Sequence, residues 1–224
     1  MKLLCLMCAA GLLVGLIGHT PAALSQQVAA EGGEGLTPLI VAAMSTRPEM
    51  VESLLRQGAD VHRVATDPAI GNALSAAFFG RNGVELSGRS DEPDPRKHAA
   101  ALQVVKLLAA ARSNMNVLVT RGPTRVSVLM MAAQAGALDA VGILLEAGAD
   151  PNFANGGKYT ALDYAVDRPP PWSQVVAADR AEIVRLLLAR GAKTQSKGVD
   201  GVSMIERARR GGNTEVLAVL MKAP

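Results

Sequence analysis

Apolar residues between positions 126 and 152 recur with the spacing of two short helices. They fall at i, i+3 and i+4 in both halves of this segment, at Leu129, Ala132 and Ala133 and then at Val141, Leu144 and Leu145. Ser127 can cap the first helix, because its hydroxyl accepts a hydrogen bond from a free N–H of the opening turn. Gly136 ends this helix, Asp139 opens the second, and Gly148 supplies the left-handed residue that terminates it. Such a helix pair cannot bury its apolar face alone and needs a neighbour of the same shape.

The same arrangement recurs elsewhere in the chain. The segment TPLIVAA from Thr37 leads to LLRQGADVH, and TALDYA from Thr160 leads to LLARGAK. Thr37, Ser127 and Thr160 have the same role, and the last two are 33 residues apart. A fixed period of this size indicates a stack of repeats. These segments resemble the ankyrin repeat, whose pattern is roughly G-x-T-P-L-H-x-A-A followed by V-x-x-L-L-x-x-G-A-D-V-N, and the resemblance extends from Gly35 to the C-terminus.

The resemblance implies an all-α ankyrin-repeat solenoid of about five helix-turn-helix repeats, with insertions in repeats two and four. The expected repeats span residues 35–67, 68–120, 121–155, 156–198 and 199–224. In repeat two, Asn72 is expected to cap the first helix, and the insertion runs from Gly80 to Pro93. Asp94 and Pro95 have the pattern of a capping residue and a first helical residue, so the second helix is expected to begin there.

Repeat four carries the second insertion, which begins after Ala165 and contains three consecutive prolines and Trp172. Its second helix is expected to restart at Asp179, which has the spacing of a capping box with Glu182. The last repeat begins at Gly201 and is expected to keep the repeat pattern at Ser203, Ile205, Ala208, Val216 and Leu220. Its basic residues are expected to form the solvated outer face of a terminal repeat: Arg207, Arg209, Arg210 and Lys222.

The N-terminal segment, residues 1–25, has the pattern of a signal peptide. Lys2 supplies a positive charge, and the apolar run from Leu3 to Gly18 contains no charged residue. Small residues precede the expected cleavage point after Ser25, and residues 26–34 would then form a flexible leader. An uncleaved anchor helix is the alternative, although the apolar run is shorter than the ~20 residues that a bilayer requires.

Composition is consistent with export. Both cysteines, Cys5 and Cys8, lie in the segment expected to be removed, so the mature chain would contain none. A chain without cysteine can enter an oxidising compartment without disulfide error, which fits the periplasm or secretion. Removal of Lys2 leaves 22 basic against 20 acidic residues. This near balance argues against a nucleic-acid partner, which requires a clustered positive field.

The sequence predicts neither an enzyme nor a metal or cofactor site. His19 lies in the signal peptide, His62 occupies an inter-repeat turn, and His98 has no Cys, Asp or Glu partner at helical ligand spacing. The chain also lacks a G-x-S-x-G elbow and a glycine-rich phosphate-binding loop followed by Lys-Ser/Thr. Asp60 and Asp150 are equivalent turn residues of two repeats and are therefore expected to be structural.

The resemblance instead implies a binding surface formed by turn tips and first helices. The variable contact positions of the family correspond here to Leu36, Met44, Ser45, Phe79, Val126, Gln134, Ala135, Tyr159 and Asp167. Met44, Phe79 and Tyr159 would supply an apolar stripe, unless Phe79 packs beneath the insertion. The second insertion is predicted to contact the partner through Pro170, Pro171 and Trp172, because an exposed aromatic on a rigid segment often anchors an interface. The alternative is that Trp172 folds back onto the helix ends.

These observations favour a non-enzymatic protein–protein interaction module in the bacterial periplasm, which binds a partner protein through its concave face and the inter-helix insertions. Exported bacterial ankyrin proteins include immunity proteins that neutralise a lipase-type effector and accessory factors in oxidative stress protection. An inhibitor of a toxic effector is therefore one alternative. A second alternative is an envelope scaffold anchored by an uncleaved N-terminal segment, whereas a cleaved chain is not expected to insert into a membrane.

Overall fold

The computed structural model describes residues 35–79, 94–167, 177–195 and 200–222. The predicted signal peptide and leader lie outside the described residues. So do the first predicted insertion, residues 80–93, and residues 168–176 of the second, including Pro170, Pro171 and Trp172.

Within the described residues, ten helices follow one another as five consecutive pairs. The first helices of the pairs are α1 (Pro38–Met44), α3 (Ala73–Phe79), α5 (Val128–Ala135), α7 (Ala161–Val166) and α9 (Met204–Gly211). The second helices are α2 (Pro48–Arg56), α4 (Pro95–Ala110), α6 (Leu138–Glu146), α8 (Ala177–Ala189) and α10 (Thr214–Lys222). Two short strands, β1 (Val119–Arg121) and β2 (Thr124–Val126), precede α5.

The helices stack in two layers. Each first helix packs against the first helices of the neighbouring pairs, and each second helix packs against the neighbouring second helices. The two helices of a pair also contact each other, which joins the layers along the whole stack. The predicted helical solenoid is therefore confirmed.

Helix boundaries follow the predicted capping residues. A side-chain oxygen accepts a hydrogen bond from the opening turn at Thr37 (3.2 Å), Asn72 (3.0 Å), Asp94 (2.9 Å) and Ser127 (3.4 Å). Ser203, which was not predicted to be a cap, accepts an equivalent bond of 3.3 Å at the start of α9. Gly136 and Gly148 have φ values of 73° and 92°, as expected of glycines that terminate helices. The predicted start of α4 at Pro95 is also confirmed.

The predicted capping box of repeat four is wrong. Helix α8 begins at Ala177, so Asp179 lies within its first turn and is not the capping residue. Glu182 instead accepts a hydrogen bond of 2.7 Å from Arg185, one turn further along the helix. The sequence spacing of a capping box is also the i,i+3 spacing of neighbours on one helix face, and spacing alone does not separate the two.

The core consists of aliphatic side chains from both layers and of alanines that let the helices approach closely. The predicted inward positions of the third pair are buried: Leu129, Ala132, Ala133, Val141, Leu144 and Leu145. In α9 the inward residues are Met204 and Ala208, whereas Ile205 is 40% exposed. Ile205 keeps the apolar residue of the repeat pattern but lies outside the core, because Met204 and Ala208 share one face at i,i+4 and Ile205 points away from it.

Short turns, here called fingers, join the second helix of each pair to the first helix of the next. They comprise residues 61–71, 116–126, 152–159 and 194–203, of which residues 196–199 are not described. The fingers and the first helices together form one face of the stack, here called the palm face. In the second finger, β1 and β2 pair antiparallel, with Val119 opposite Val126. The all-α prediction omitted this hairpin because strands of three residues leave almost no periodic signal.

Asn72 replaces the usual threonine of the repeat and makes a buried hydrogen-bond network. Its Oδ1 accepts bonds from the backbone N–H and the hydroxyl of Ser75, both at 3.0 Å. Its Nδ2 donates to the hydroxyl of Ser113 at 3.1 Å and to the backbone oxygen of Asn114 at 2.8 Å. Asn72 therefore both caps α3 and fastens it to the turn that follows α4.

We expect Asn72→Ala to lower the free energy of unfolding by about 2 kcal/mol, since the helix loses its cap and buried partners lose their bonds. Urea denaturation followed by circular dichroism measures this change. Asn116→Ala is the matched control, because Asn116 is exposed and lies only two residues after Asn114 in the segment that follows α4. Equal stability of the two variants would contradict the structural role assigned to Asn72.

Candidate partner-binding site

Hydrogen bonds connect the first three fingers in a row along the palm face. The backbone N–H of Thr120 donates to the backbone oxygen of Pro68, which joins the first finger to β1 at 2.8 Å. The Nδ2 of Asn155 donates to the backbone oxygen of Arg125 at 2.9 Å, which joins β2 to the third finger. These bonds fix the positions of the fingers relative to one another.

Asn155 is the buried anchor of the third finger. Its Oδ1 accepts bonds from the backbone N–H groups of Gly157 at 3.0 Å and Tyr159 at 3.1 Å. Its Nδ2 also contacts the Tyr164 hydroxyl at 3.2 Å. One side chain thus shapes the turn and holds Tyr159 beside Tyr164 and β2.

Tyr159 is the centre of an aromatic and charged group of side chains, here called the Tyr159 cluster: Tyr159, Tyr164, Asp200 and Arg207. The two tyrosine rings pack edge to face, with centroids 6.4 Å apart and planes at 71°. The Arg207 guanidinium lies 5.1 Å from the centroid of the Tyr159 ring, in a cation–π arrangement. Arg207 Nη2 donates to both carboxylate oxygens of Asp200, at 2.5 and 2.6 Å.

Burial and bonding change the proton affinities in this cluster. Burial of the Arg207 guanidinium opposes its charge, but the bond to Tyr159 and the Asp200 carboxylate outweigh this and raise the pKa of Arg207. Burial also raises the pKa of Tyr164 above 10.0, against the opposing effect of hydrogen bonds to Thr124 and Asn155. Arg207 therefore stays a cation, and the phenol of Tyr164 keeps its proton more tightly than a free tyrosine does.

Arg180 supports the palm face from beneath, and it is only 2% exposed. Its Nη1 donates to the backbone oxygens of Ala165 at 2.9 Å and Asp167 at 2.6 Å, and its Nη2 donates to that of Gln134 at 3.0 Å. These oxygens belong to the C-terminal ends of α7 and α5, where helices have unpaired carbonyls and a partial negative charge. Burial lowers the pKa of Arg180, and the Asp167 carboxylate partly offsets that effect.

Other chemistry is sparse in the part of the chain that the structure describes. No group of three metal-ligating side chains occurs there. His98, which has no Cys, Asp or Glu at helical ligand spacing in the sequence, lies 3.7 Å from the carboxylate of Asp139 in the next pair. A shallow groove of about 460 Å³ separates α8 from α10 on the face opposite the palm, with an apolar floor that includes Leu188 and Val219.

Comparison with protein families identifies the repeat unit. Residues 97–197 match a model described as ankyrin repeats in three copies, and residues 34–66 match a model described as an ankyrin repeat. The two matches together cover more than half of the chain. The chain belongs to the ankyrin repeat family. Ankyrin repeats generally mediate protein–protein interaction, and the fold is typically a non-enzymatic interaction module.

Solved structures agree on the fold. The crystal structure of the ankyrin repeat protein EF0377 is similar to this chain, with a TM-score of 0.63 and 24% sequence identity over 86% of this chain and 83% of that chain. This likeness concerns the ankyrin fold alone. No curated protein matches the sequence.

The predicted ankyrin contact positions have different fates in the structure. Leu36 and Met44 are half-buried and pack against the core at the N-terminal end of the stack. Arg180 binds the backbones of Gln134 and Asp167, and Arg207 lies over the ring of Tyr159. The carboxylate of Asp167 also contributes to the raised pKa of Arg207, which links the two arginines.

Two contact positions were predicted wrongly. Val126 and Ala135 are buried in the core and are not available to a partner, because Val126 pairs with Val119 inside the hairpin and Ala135 lies on the inward side of α5. Ser45 is half-buried at the end of α1. The side chain of Phe79 lies outside the described residues, so the stripe through Met44, Phe79 and Tyr159 stays a prediction.

Two arginines of this ankyrin stack were not recognised from the sequence. Arg207 was assigned to a solvated face, but its side chain is only 10% exposed and bound to Asp200, unlike the exposed Arg209 and Arg210. The sequence does contain a signal for Arg180, because Arg180 precedes Ile183 and Leu187 on the inward stripe of α8. A charged residue on a buried stripe indicates a structural or functional partner.

We expect Arg180→Met to lower the free energy of unfolding by about 3 kcal/mol, because three backbone oxygens lose their buried donor. Chemical denaturation measures the change. Arg185→Met is the matched control on the same helix, since Arg185 is exposed and its pair with Glu182 contributes little. A loss below about 1 kcal/mol for Arg180→Met would show that water replaces the guanidinium at no real cost.

Tyr164 should make stability depend on pH under alkaline conditions. The native state holds the phenol proton more tightly than the unfolded chain does, so this contribution is complete below pH 10.0 and is lost as pH rises through the native pKa. Wild type and Tyr164→Phe are compared by urea denaturation between about pH 9 and about pH 11. We expect their stability difference to shrink with rising pH, and a constant difference would contradict the assignment.

Proposed function

We propose that this protein is an exported, non-enzymatic interaction module that binds a partner protein in the bacterial periplasm. The partner would contact the palm face, which the family's architecture makes concave, together with the inter-helix insertions. Membership of the ankyrin repeat family supports binding of a protein. The Tyr159 cluster is the observation in this chain that supports the palm face as the contact surface.

Tyrosine and arginine are the residue types that most often dominate binding energy at protein interfaces. In the cluster, Tyr159 is half-buried, so part of its ring faces outward while the rest packs against Tyr164 and Arg207. The ring is therefore held in place before a partner arrives. A side chain fixed in this way loses little conformational entropy on binding, which favours affinity.

The remaining predicted contacts extend from the cluster. Asp167 is close enough to Arg207 to contribute to its raised pKa, and Arg180 binds the backbones of both Asp167 and Gln134. Leu36 and Met44 would contribute at the other end of the palm face. We propose that the insertions add Phe79 at the edge of the first insertion and Pro170, Pro171 and Trp172 from the second.

The proposal that the protein is exported is supported by the sequence pattern of residues 1–25 and by the absence of cysteine from the rest of the chain. Among the described residues, none of the helices has both the length and the apolar character needed to cross a membrane. Cleavage after Ser25 would release the repeats into the periplasm, whereas an uncleaved segment would tether them to the membrane.

Affinity purification from a periplasmic extract tests the proposal. We expect one stoichiometric partner with the wild type and affinity reduced about 30-fold or more by Tyr159→Ala, the effect of an interface hot spot. Trp172→Ala should weaken binding if the second insertion participates. Met221→Ala is the control, because Met221 is an exposed apolar side chain on α10, in the other layer.

Equal affinity of the wild type and Tyr159→Ala would exclude the cluster as the contact surface. Recovery of no partner would contradict a periplasmic partner and favour one delivered from outside the cell. The mass of the protein in the same extract tests export, since loss of residues 1–25 would exclude the anchored scaffold.

A further inference from the structure

The last described helix pair exposes apolar side chains at its outer end. Ile205 in α9 and Met221 in α10 are two of the three large apolar side chains that are exposed among the described residues, and Met221 is 67% exposed. Leu217 lies one turn before Met221 on the same side of α10 and is half-buried. The third exposed side chain, Val64, lies in the first finger. The outer end of the last pair therefore presents apolar surface to solvent.

The equivalent positions of the earlier pairs are buried. Ile205 lies two residues after the capping residue of its helix, and each earlier pair has a buried leucine there: Leu39, Leu74, Leu129 and Leu162. Leu217 corresponds to a buried valine in each earlier second helix: Val51, Val105, Val141 and Val184. Each of those pairs is followed by another pair that packs against it. The outer end of the last pair thus has the composition of a contact between pairs, although no described pair covers it.

The first pair carries the complementary side of such a contact. Met50 in α2 is half-buried, whereas the equivalent residue is fully buried in every second helix that has a described pair before it: Val104, Ala140, Ile183 and Val216. Met50 lines an open groove of about 350 Å³ with Arg47, Glu49 and Ser53. The first pair therefore presents the side with which the later pairs pack against the pair before them.

The two ends also carry opposite charges. Arg209 is exposed, at a position where the earlier pairs have buried apolar residues: Ala43, Phe78, Ala133 and Val166. Glu49 is exposed in the first turn of α2. Neither residue forms an ion pair with another described residue. Within the stack, the residue equivalent to Glu49 in α6 is Asp139, which lies 3.7 Å from His98 of the preceding pair.

We propose that the C-terminal end face, formed by Ile205, Arg209, Leu217 and Met221, binds the first pair of a second copy of this chain. The second copy would continue the stack, with Met50 covered by the apolar residues and Glu49 opposite Arg209. Such a head-to-tail contact joins two different surfaces, so each copy still has one free end and association continues beyond the dimer. A two-fold contact between two C-terminal end faces is disfavoured, because it brings the arginines of both copies together.

This self-association goes beyond the proposed function and does not depend on it. The contact lies at the ends of the stack, so the palm face of every copy stays open to a partner. A row of copies presents several palm faces, and a partner with more than one binding site would be held more tightly by such a row than by a single copy.

Sedimentation velocity measures self-association of the protein recovered from cells that express the full chain. We expect the average mass to rise with concentration past that of a dimer. Met221→Glu should weaken association about tenfold or more, because the contact would bury a carboxylate without a partner. Val64→Glu is the matched control and should change association less than about twofold, since Val64 is exposed away from both ends. Thermal denaturation checks that both variants stay folded.

Charge exchange tests which surfaces meet. Arg209→Glu and Glu49→Arg each place like charges at the head-to-tail contact, so each should weaken association about fivefold or more. The double variant restores an opposite pair at every contact, and we expect its association to return to within about twofold of the wild type. An equimolar mixture of the two single variants should also associate more strongly than either variant alone.

Four results would overturn the inference. They are a monomer at every concentration up to about 1 mM, growth that stops at a dimer, equal effects of Met221→Glu and Val64→Glu, and a double variant no better than its parents. Partner purification separates this inference from the proposed function. A wild-type monomer that still recovers its partner through Tyr159 refutes the stacking of copies and leaves the interaction function standing.

Discussion

Burial of apolar stripes between neighbouring helix pairs is the interaction on which this structure depends. No pair encloses a core of its own, so each is stabilised by the pair before it and the pair after it. Helix α5, in the middle of the stack, is consequently buried along most of its length, from Val128 to Ala133. Helix α9, in the last pair, fully buries only Met204 and Ala208, and its Ile205, Arg209 and Arg210 are exposed. A helix pair in the middle of the stack is therefore more apolar than a pair at its end, because it packs against neighbours on both sides.

Burial of apolar surface does not by itself fix the register between pairs, and buried polar side chains supply that specification. Asn72, Asn155 and Arg180 each bind backbone groups of a different helix or finger. A buried donor or acceptor without a partner is costly, so a shift of one pair against the next would be penalised at each of these sites. The same bonds hold the fingers and first helices as a rigid palm face. Stability and the geometry of the proposed binding surface therefore come from one set of contacts.

The two sides of the stack differ in a way that suits recognition. The palm face combines packed aromatic rings at Tyr159 and Tyr164 with an arginine held by Asp200. The second-helix layer carries mixed charges and a shallow groove between α8 and α10. Preorganised aromatic and basic side chains favour a specific partner, because little entropy is lost when they bind.

Local chemistry explains what the sequence determined by itself. Capping hydroxyls such as Thr37 and terminating glycines such as Gly136 act within one or two turns of helix, so their spacing predicted the helix pairs, their boundaries and the family. The roles of Arg180 and Arg207, the hairpin of the second finger and the burial of Val126 depend on groups that are distant in the sequence. Arg180 and its partner Gln134 are 46 residues apart, and no local periodicity encodes such a contact. The repeat pattern therefore specified the scaffold, whereas only the packing of one pair on the next decided which side chains became core and which formed the surface that a partner meets.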